Sequence, residues 1–187
     1  IYIGSENGNI YSINADGIIT GTFSAGSAVY ASPAVDESGN IYAGSSEGMF
    51  FCLDPQHKLK WKYKTGGGIT SSAALHQNRI IFGCQDGFVY CLDSNGSLLW
   101  KFQTGKSIES SPAVDKYGRV YIGSDDCRLY ALTSEGKLLW SFRTTGPVLS
   151  SPALTQNRII FGCEDKYVYC LGEKKSTSKE IPEKNRN

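Results

Sequence analysis

Histidine, methionine and helical periodicity are nearly missing from this chain, and each shortage narrows what it can do. Two histidines and one methionine occur in 187 residues, which leaves little material for a histidine-built metal centre or a histidine relay. No run of about 18 apolar residues exists, so no helix is encoded that could cross a membrane. The N-terminus has no basic segment followed by an apolar stretch, so no secretory signal is written in these residues. Ile1 opens inside a strand pattern and is not Met, from which a longer N-terminal region is expected. Lys+Arg total 19 against Asp+Glu 18, a net charge of +1, and a field that weak points to neither nucleic acid nor an anionic membrane surface. The six cysteines include no closely spaced pair of the metal-binding or disulfide-scaffold kind. Six free thiols favour a reducing compartment, and a periplasmic setting would require a signal upstream.

What the chain does have is repetition. One hairpin recurs five times, as IYIGSENGNIYSI from Ile1, IYAGSSEGMFFCL from Ile41, IIFGCQDGFVYCL from Ile80, VYIGSDDCRLYAL from Val120 and IIFGCEDKYVYCL from Ile159. Its glycines, Gly4, Gly44, Gly83, Gly123 and Gly162, step by 40, 39, 40 and 39 residues, an interval typical of stacked repeats. Between hairpins lie a Ser-Ser-Pro-Ala type segment, at Ala31, Ser71, Ser110 and Ser150, and an aromatic run. In that run Leu59, Trp61 and Tyr63 alternate with Lys58, Lys60, Lys62 and Lys64, the period of a strand with one buried face. Lysines on the other face suit an outermost strand, because they discourage pairing with a second chain. The hairpin strands are apolar at successive positions, as expected of central strands covered on both faces. Glycine-bearing turns separate all four strands, and Asn95-Gly96 reads as a type I′ turn. Cys52, Cys91 and Cys170, and again Cys84 and Cys163, recur in register inside apolar strands and read as small buried hydrophobes.

Four-stranded antiparallel units of about 40 residues are the blades of a β-propeller. The segments CLDPQHKLKWKY from Cys52, CLDSNGSLLWKF from Cys91 and ALTSEGKLLWSF from Ala131 resemble the pyrroloquinoline-quinone-type (PQQ-like) propeller repeat. The Trp-Asp and Gly-His signatures of WD40 repeats are missing. The resemblance implies that Trp61, Trp100 and Trp140 dock as wedges, with Cys52, Cys91 and Ala131 as small platforms beneath them. A fully buried indole removes about 150–250 Å² from water, at most ~4–6 kcal/mol per wedge. Gly21 stands where the first copy should carry Trp. The expected fold is therefore all-β: partial blade 1–26, blades 27–65, 66–105 and 106–145, partial blade 146–171, and a disordered tail 172–187. Family rings close with seven or eight blades, so this count predicts part of a larger propeller, with contacts to upstream blades or to another copy.

Family resemblance also raises a quinoprotein dehydrogenase as a reading to be tested. Such enzymes hold quinone and calcium on the axis and often carry adjacent cysteines, which this chain lacks. Asp36, Asp54, Asp93 and Asp115 sit beside turn signals and are expected to bond their own backbone. His57 and His76 are expected in solvated loops, and the Ser-Ser pairs, which recur without a base, are expected on narrow strands crowded near an axis. The chain is therefore read as a noncatalytic protein-binding or scaffolding module with no cofactor and no metal. The alternatives are a dehydrogenase fragment and a structural C-terminal domain of a larger enzyme. Similar repeats occur in the bacterial outer-membrane assembly lipoprotein, in sensor-linked kinases and in an aminoadipate-semialdehyde-dehydrogenase-like adenylating enzyme.

Overall fold

A computed structural model describes residues 1–172. The expected tail lies outside the described residues except for Gly172, which ends the last strand. Every regular element among the described residues is a β-strand, and the strands form five consecutive antiparallel sheets. Sheet 1 holds β1 (Tyr2–Gly4), β2 (Asn9–Ile13) and β3 (Ile19–Ser24). Sheet 2 holds β4 (Ala34–Val35), β5 (Ile41–Gly44), β6 (Met49–Leu53) and β7 (Leu59–Lys64). Sheet 3 holds β8 (Ala74–His76), β9 (Arg79–Gly83), β10 (Phe88–Asp93) and β11 (Leu98–Gln103). Sheet 4 holds β12 (Ala113–Val114), β13 (Val120–Ser124), β14 (Arg128–Leu132) and β15 (Leu138–Arg143). Sheet 5 holds β16 (Ala153–Leu154), β17 (Arg158–Gly162) and β18 (Val168–Gly172). Each sheet is a simple meander in chain order, so three sheets of four strands are flanked by two of three.

Burial follows position in the sheet. Ile41–Gly44 is buried at every residue, as are Ile80–Gly83 and Val120–Ser124, because a neighbouring sheet covers each face. The outermost strands β7 and β11 alternate between exposed and half-buried residues. The core is accordingly a row of seams. Ile10, Val29, Ile41, Phe51 and Leu53 fill the first, Phe50, Ile69, Phe82 and Tyr90 the second, Val89, Ile108, Ile122 and Leu132 the third, and Leu129, Val148 and Phe161 the fourth. Phe50 and Phe82 stack across the second seam with centroids 4.0 Å apart.

The repeated glycine sets how closely sheets approach. A Cβ on Gly123 would stand 2.2 Å from the carbonyl oxygen of Val148, and one on Gly83 would stand 2.3 Å from the Ile108 side chain. Val29, Ile69, Ile108 and Val148 each lie against such a glycine and donate their N–H to Ser5, Ser45, Cys84 and Ser124, at 3.0, 3.0, 3.2 and 3.1 Å. At Gly4 and Gly123 the neighbour's carbonyl oxygen takes the space of a Cβ, and at Gly44 and Gly83 an isoleucine side chain does, an approach that only a residue without Cβ permits.

The outer turns differ from the expected type. At Asn95-Gly96 only the glycine has positive φ, 81°, whereas a type I′ turn needs both central residues there. Asp93 pairs with Ser97 around this longer loop, and the register of β10 shifts between Cys91 and Leu92. The arrangement is a type I turn closed by a left-handed glycine and a bulge.

Candidate functional site

The tryptophans stand opposite their small partners: Trp61 pairs with Cys52, Trp100 with Cys91 and Trp140 with Ala131. Two of the three also reach the next sheet. The Trp61 indole N–H donates to the Ser94 carbonyl at 2.9 Å, and its ring lies on Gly96; Trp100 repeats this on Ser134, at 3.0 Å, and on Gly136. Among the described residues Trp140 makes no such contact. It is 38% exposed, and the positions that would carry its glycine turn follow Gly172, outside the described residues. Beneath the rings, burial pushes the Cys52 thiol up to about 11 and the Cys91 thiol up to about 12, so both stay protonated and inert.

His57 is not a solvated loop residue. It occupies the turn position of Gly96 and Gly136 with φ of 63°, and its ring fills the space above Gly21, where a Cβ would meet it at 2.2 Å. Glycine and ring have thus exchanged sides of the seam: the first sheet supplies the gap and the second supplies the ring. The exchange is imperfect, because His57 Nε2 is buried without a partner and an open cleft of about 510 Å³ remains beside Ser12, Thr20, Thr22 and Gln56. His76, expected in a loop, ends β8 paired with Arg79.

Serines join the innermost strands. Ser32 N–H donates to Ser72 Oγ at 2.9 Å, Ser72 N–H to Ser111 Oγ at 2.9 Å, and Ser111 N–H to Ser151 Oγ at 3.1 Å. The preceding serines, Ser71, Ser110 and Ser150, accept the N–H of Gly83, Gly123 and Gly162 in their own sheets, and Ser110 Oγ also donates across to the Ser150 carbonyl at 2.9 Å. These hydroxyls are ladder rungs between sheets, and no imidazole stands among these contacts to activate one.

At the hairpin-turn end, loops and turns intermesh. Asp86 accepts from Gly66 N–H at 2.9 Å and from Tyr90 Oη at 2.7 Å; Asp126 accepts from Gly105 N–H at 2.7 Å and Tyr130 Oη at 2.5 Å. Asp165 accepts from Thr145 Oγ1 and from Tyr169 Oη, at 2.9 and 2.8 Å. Beside them Thr65 and Thr104 donate their hydroxyls to Gly48 and Gly87. Cys84 and Cys163 donate S–H to carbonyls of the adjoining loop, at 3.3 and 3.2 Å, so they take the place of serines and are more than apolar filler. The Asp–Tyr and Thr contacts were not singled out in the sequence, although both recur at the repeat interval. The first seam has none of them: Ala25, Glu47 and Phe51 stand where Thr, Asp and Tyr stand elsewhere.

Burial raises the Asp86 carboxyl, but hydrogen bonds from Tyr90, Cys84, Phe88 N–H and Gly66 N–H more than offset it and hold it below the usual range. Asp165 is lowered in the same way. A carboxylate with a depressed folded pKa adds stability that is full above its unfolded value and is lost as pH falls through the folded value. Melting temperature is therefore expected to drop between about pH 5 and pH 3. In Asp86→Asn, which keeps an acceptor but cannot titrate, calorimetry across that range is expected to show a shallower drop.

The turn aspartates spend their oxygens locally. Asp54 Oδ1 accepts from Gln56 and Lys58 N–H at 2.9 and 2.8 Å, and Asp93 Oδ1 accepts from Asn95 and Ser97 at the same distances. Asp36 and Asp115 do likewise. Among the described residues no group of three or more His, Cys, Asp or Glu is placed to hold a metal.

Meander sheets stacked face to face, with their inner strands laddered and their outer strands free, define a β-propeller segment. The family model described as outer membrane protein assembly factor BamB matches residues 85–177, just under half of the chain, and the sheets have the fold of PQQ-like β-propeller repeats. The crystal structure of BamB from Moraxella catarrhalis superposes with a TM-score of 0.80 at 18% identity, over 91% of this chain and 57% of that one. The computationally designed Ika8 protein gives 0.82 at 18% identity, over 92% and 55%. The designed Ika4 gives 0.70 at 20% identity, over 79% and 92%. The chain therefore spans a little over half the length of the first two. No curated protein matches it in sequence.

Proposed function

We propose that the chain is a noncatalytic module that binds or scaffolds proteins by rigid display. The observation that carries this reading is the intermeshed rim, where each loop is bonded to the turn of the next sheet. Ser46, Gln85, Asp125 and Glu164 each donate an N–H to the preceding loop, at 2.8 to 3.0 Å, so the rim is preorganised and a partner docking there orders little backbone. The family's name, an outer membrane protein assembly factor, supports a role in contact with other proteins. The turn aspartates, the inner serines and the Asp86, Asp126 and Asp165 carboxylates each hold turns, ladders or clasps together.

Two measurements test this. A bound quinone and calcium would stabilise the fold by linkage, by about 2.7 kcal/mol at a hundredfold excess over Kd, and so raise the melting temperature; no shift is expected, and a saturable shift would overturn the noncatalytic reading. An immobilised chain is expected to retain a partner whose cross-links fall on Lys106 and Lys166 at the rim. Retention is expected to fall in the variant Gln85→Lys/Glu164→Lys, which alters two exposed rim positions. Cross-links scattered over the whole surface, insensitive to that variant, would overturn the binding reading.

A further inference from the structure

We propose that the free edge of β7 accepts an extended acidic segment of a partner protein, one in which Asp or Glu alternates with apolar residues. The proposal deepens the protein-binding reading above and rests on it.

β7 is the outermost strand of sheet 2 and pairs only with β6. Thr65 N–H donates inward to Gly48 O at 2.9 Å. Since inward and outward groups alternate along an antiparallel strand, the N–H and C=O of Lys62 and Lys64 point away from β6. An added strand would bond there.

The side chains select which strand that is. Lys58, Lys60, Lys62 and Lys64 are all exposed; Lys62 and Lys64 share one face of β7, about 7 Å apart, while Lys60 lies at the register shift opposite Cys52 and Leu53 and Lys58 just precedes the strand. The scaffold does not demand them. Equivalent positions are Ile18, Thr20, Thr22 and Ser24 in the first sheet, Ser97, Leu99, Lys101 and Gln103 in the third, and Lys137, Leu139, Ser141 and Arg143 in the fourth. Every one of those edges is an outer strand too, so protection from aggregation does not explain four lysines on β7 alone. Their charge is also unspent. Lys60 Nζ donates to the Asn40 amide oxygen at 2.9 Å and Lys64 Nζ to the Glu47 carbonyl, while the one ion pair among the described residues is Arg119–Asp115. The nearest turn carboxylates, Asp36 and Asp54, are engaged by their own backbone N–H groups.

Four amines in a row repel a second copy of β7 and any basic strand, and attract one with carboxylates at the same spacing. Opposite charges directly across a strand pair are favourable and like charges unfavourable. Between the lysines, Leu59 is 46% exposed, which suits apolar residues at the alternate positions of the partner.

The test uses the full 187-residue chain and a short fluorescent peptide of alternating Glu and Val, read by anisotropy. Binding is expected to weaken about tenfold between low and about 0.3 M salt, and about tenfold in Lys58→Gln/Lys60→Gln/Lys62→Gln/Lys64→Gln. A melting curve checks that this variant remains folded. A peptide N-methylated at every residue keeps its charge but offers no N–H to an edge, and is expected not to bind. No binding of the parent peptide, equal binding by the fourfold variant, or equal binding by the methylated peptide each overturns the proposal. Rim-directed partner capture is measured in parallel. If capture persists while the peptide fails, only the β7 site falls; if capture also fails, the broader binding reading falls with it.

Discussion

Trp100→Ala is expected to lower the free energy of unfolding by about 3 kcal/mol, the low end of the range for removing a large aromatic. The low end applies because the ring is half-buried. Three contributions are lost together: packing over Cys91 within its own sheet, contact with Gly136 of the next, and the indole hydrogen bond to Ser134. The Ser134 carbonyl keeps Arg79 as a donor, which limits the cost of the lost bond. Trp140→Ala is expected to cost only about 1 kcal/mol, since an exposed ring forfeits far less burial. Urea denaturation followed by far-ultraviolet circular dichroism measures both. Equal losses would show that the next sheet contributes nothing to the wedge.

Gly123→Ala carries the other large effect, about 3 kcal/mol, at the upper end for overpacking. Its methyl would meet the Val148 carbonyl oxygen at 2.2 Å, and that carbonyl cannot swing aside, because Val148 N–H is bonded back to Ser124 at 3.1 Å. Gly162 offers an internal control. It holds the same motif position in the last sheet, yet the nearest atom to an added methyl is Ser150 Oγ at 3.5 Å. Gly162→Ala is expected to change stability by less than about 1 kcal/mol. Melting curves of the two variants side by side decide the matter, and similar losses at both positions would mean that the glycines are not kept for close approach.

Much of this architecture was legible because a repeat states the same fact several times. The alternation at Leu59, Trp61 and Tyr63, seen again at Leu98, Trp100 and Phe102, marks a strand more firmly than either run alone. The sheet count followed from it, with three complete and two partial units. Departures from the repeat were harder to read. Gly21 was visible as a missing tryptophan, but pairing it with His57 requires knowing which turn of the second sheet faces β3. The Asp86–Tyr90 clasp was hidden for another reason: an aspartate before glycine already has an adequate local explanation in the turn itself. Asn95-Gly96 misled because the dipeptide fits two turn types, and the number of residues between paired strands decides between them.

The first seam holds a further consequence. Where its neighbours have indole, hydroxyl and carboxylate bolts, it has an imidazole with one idle nitrogen, an alanine and a glutamate. A laminate fastened so unevenly is expected to part at that joint before the second or the third.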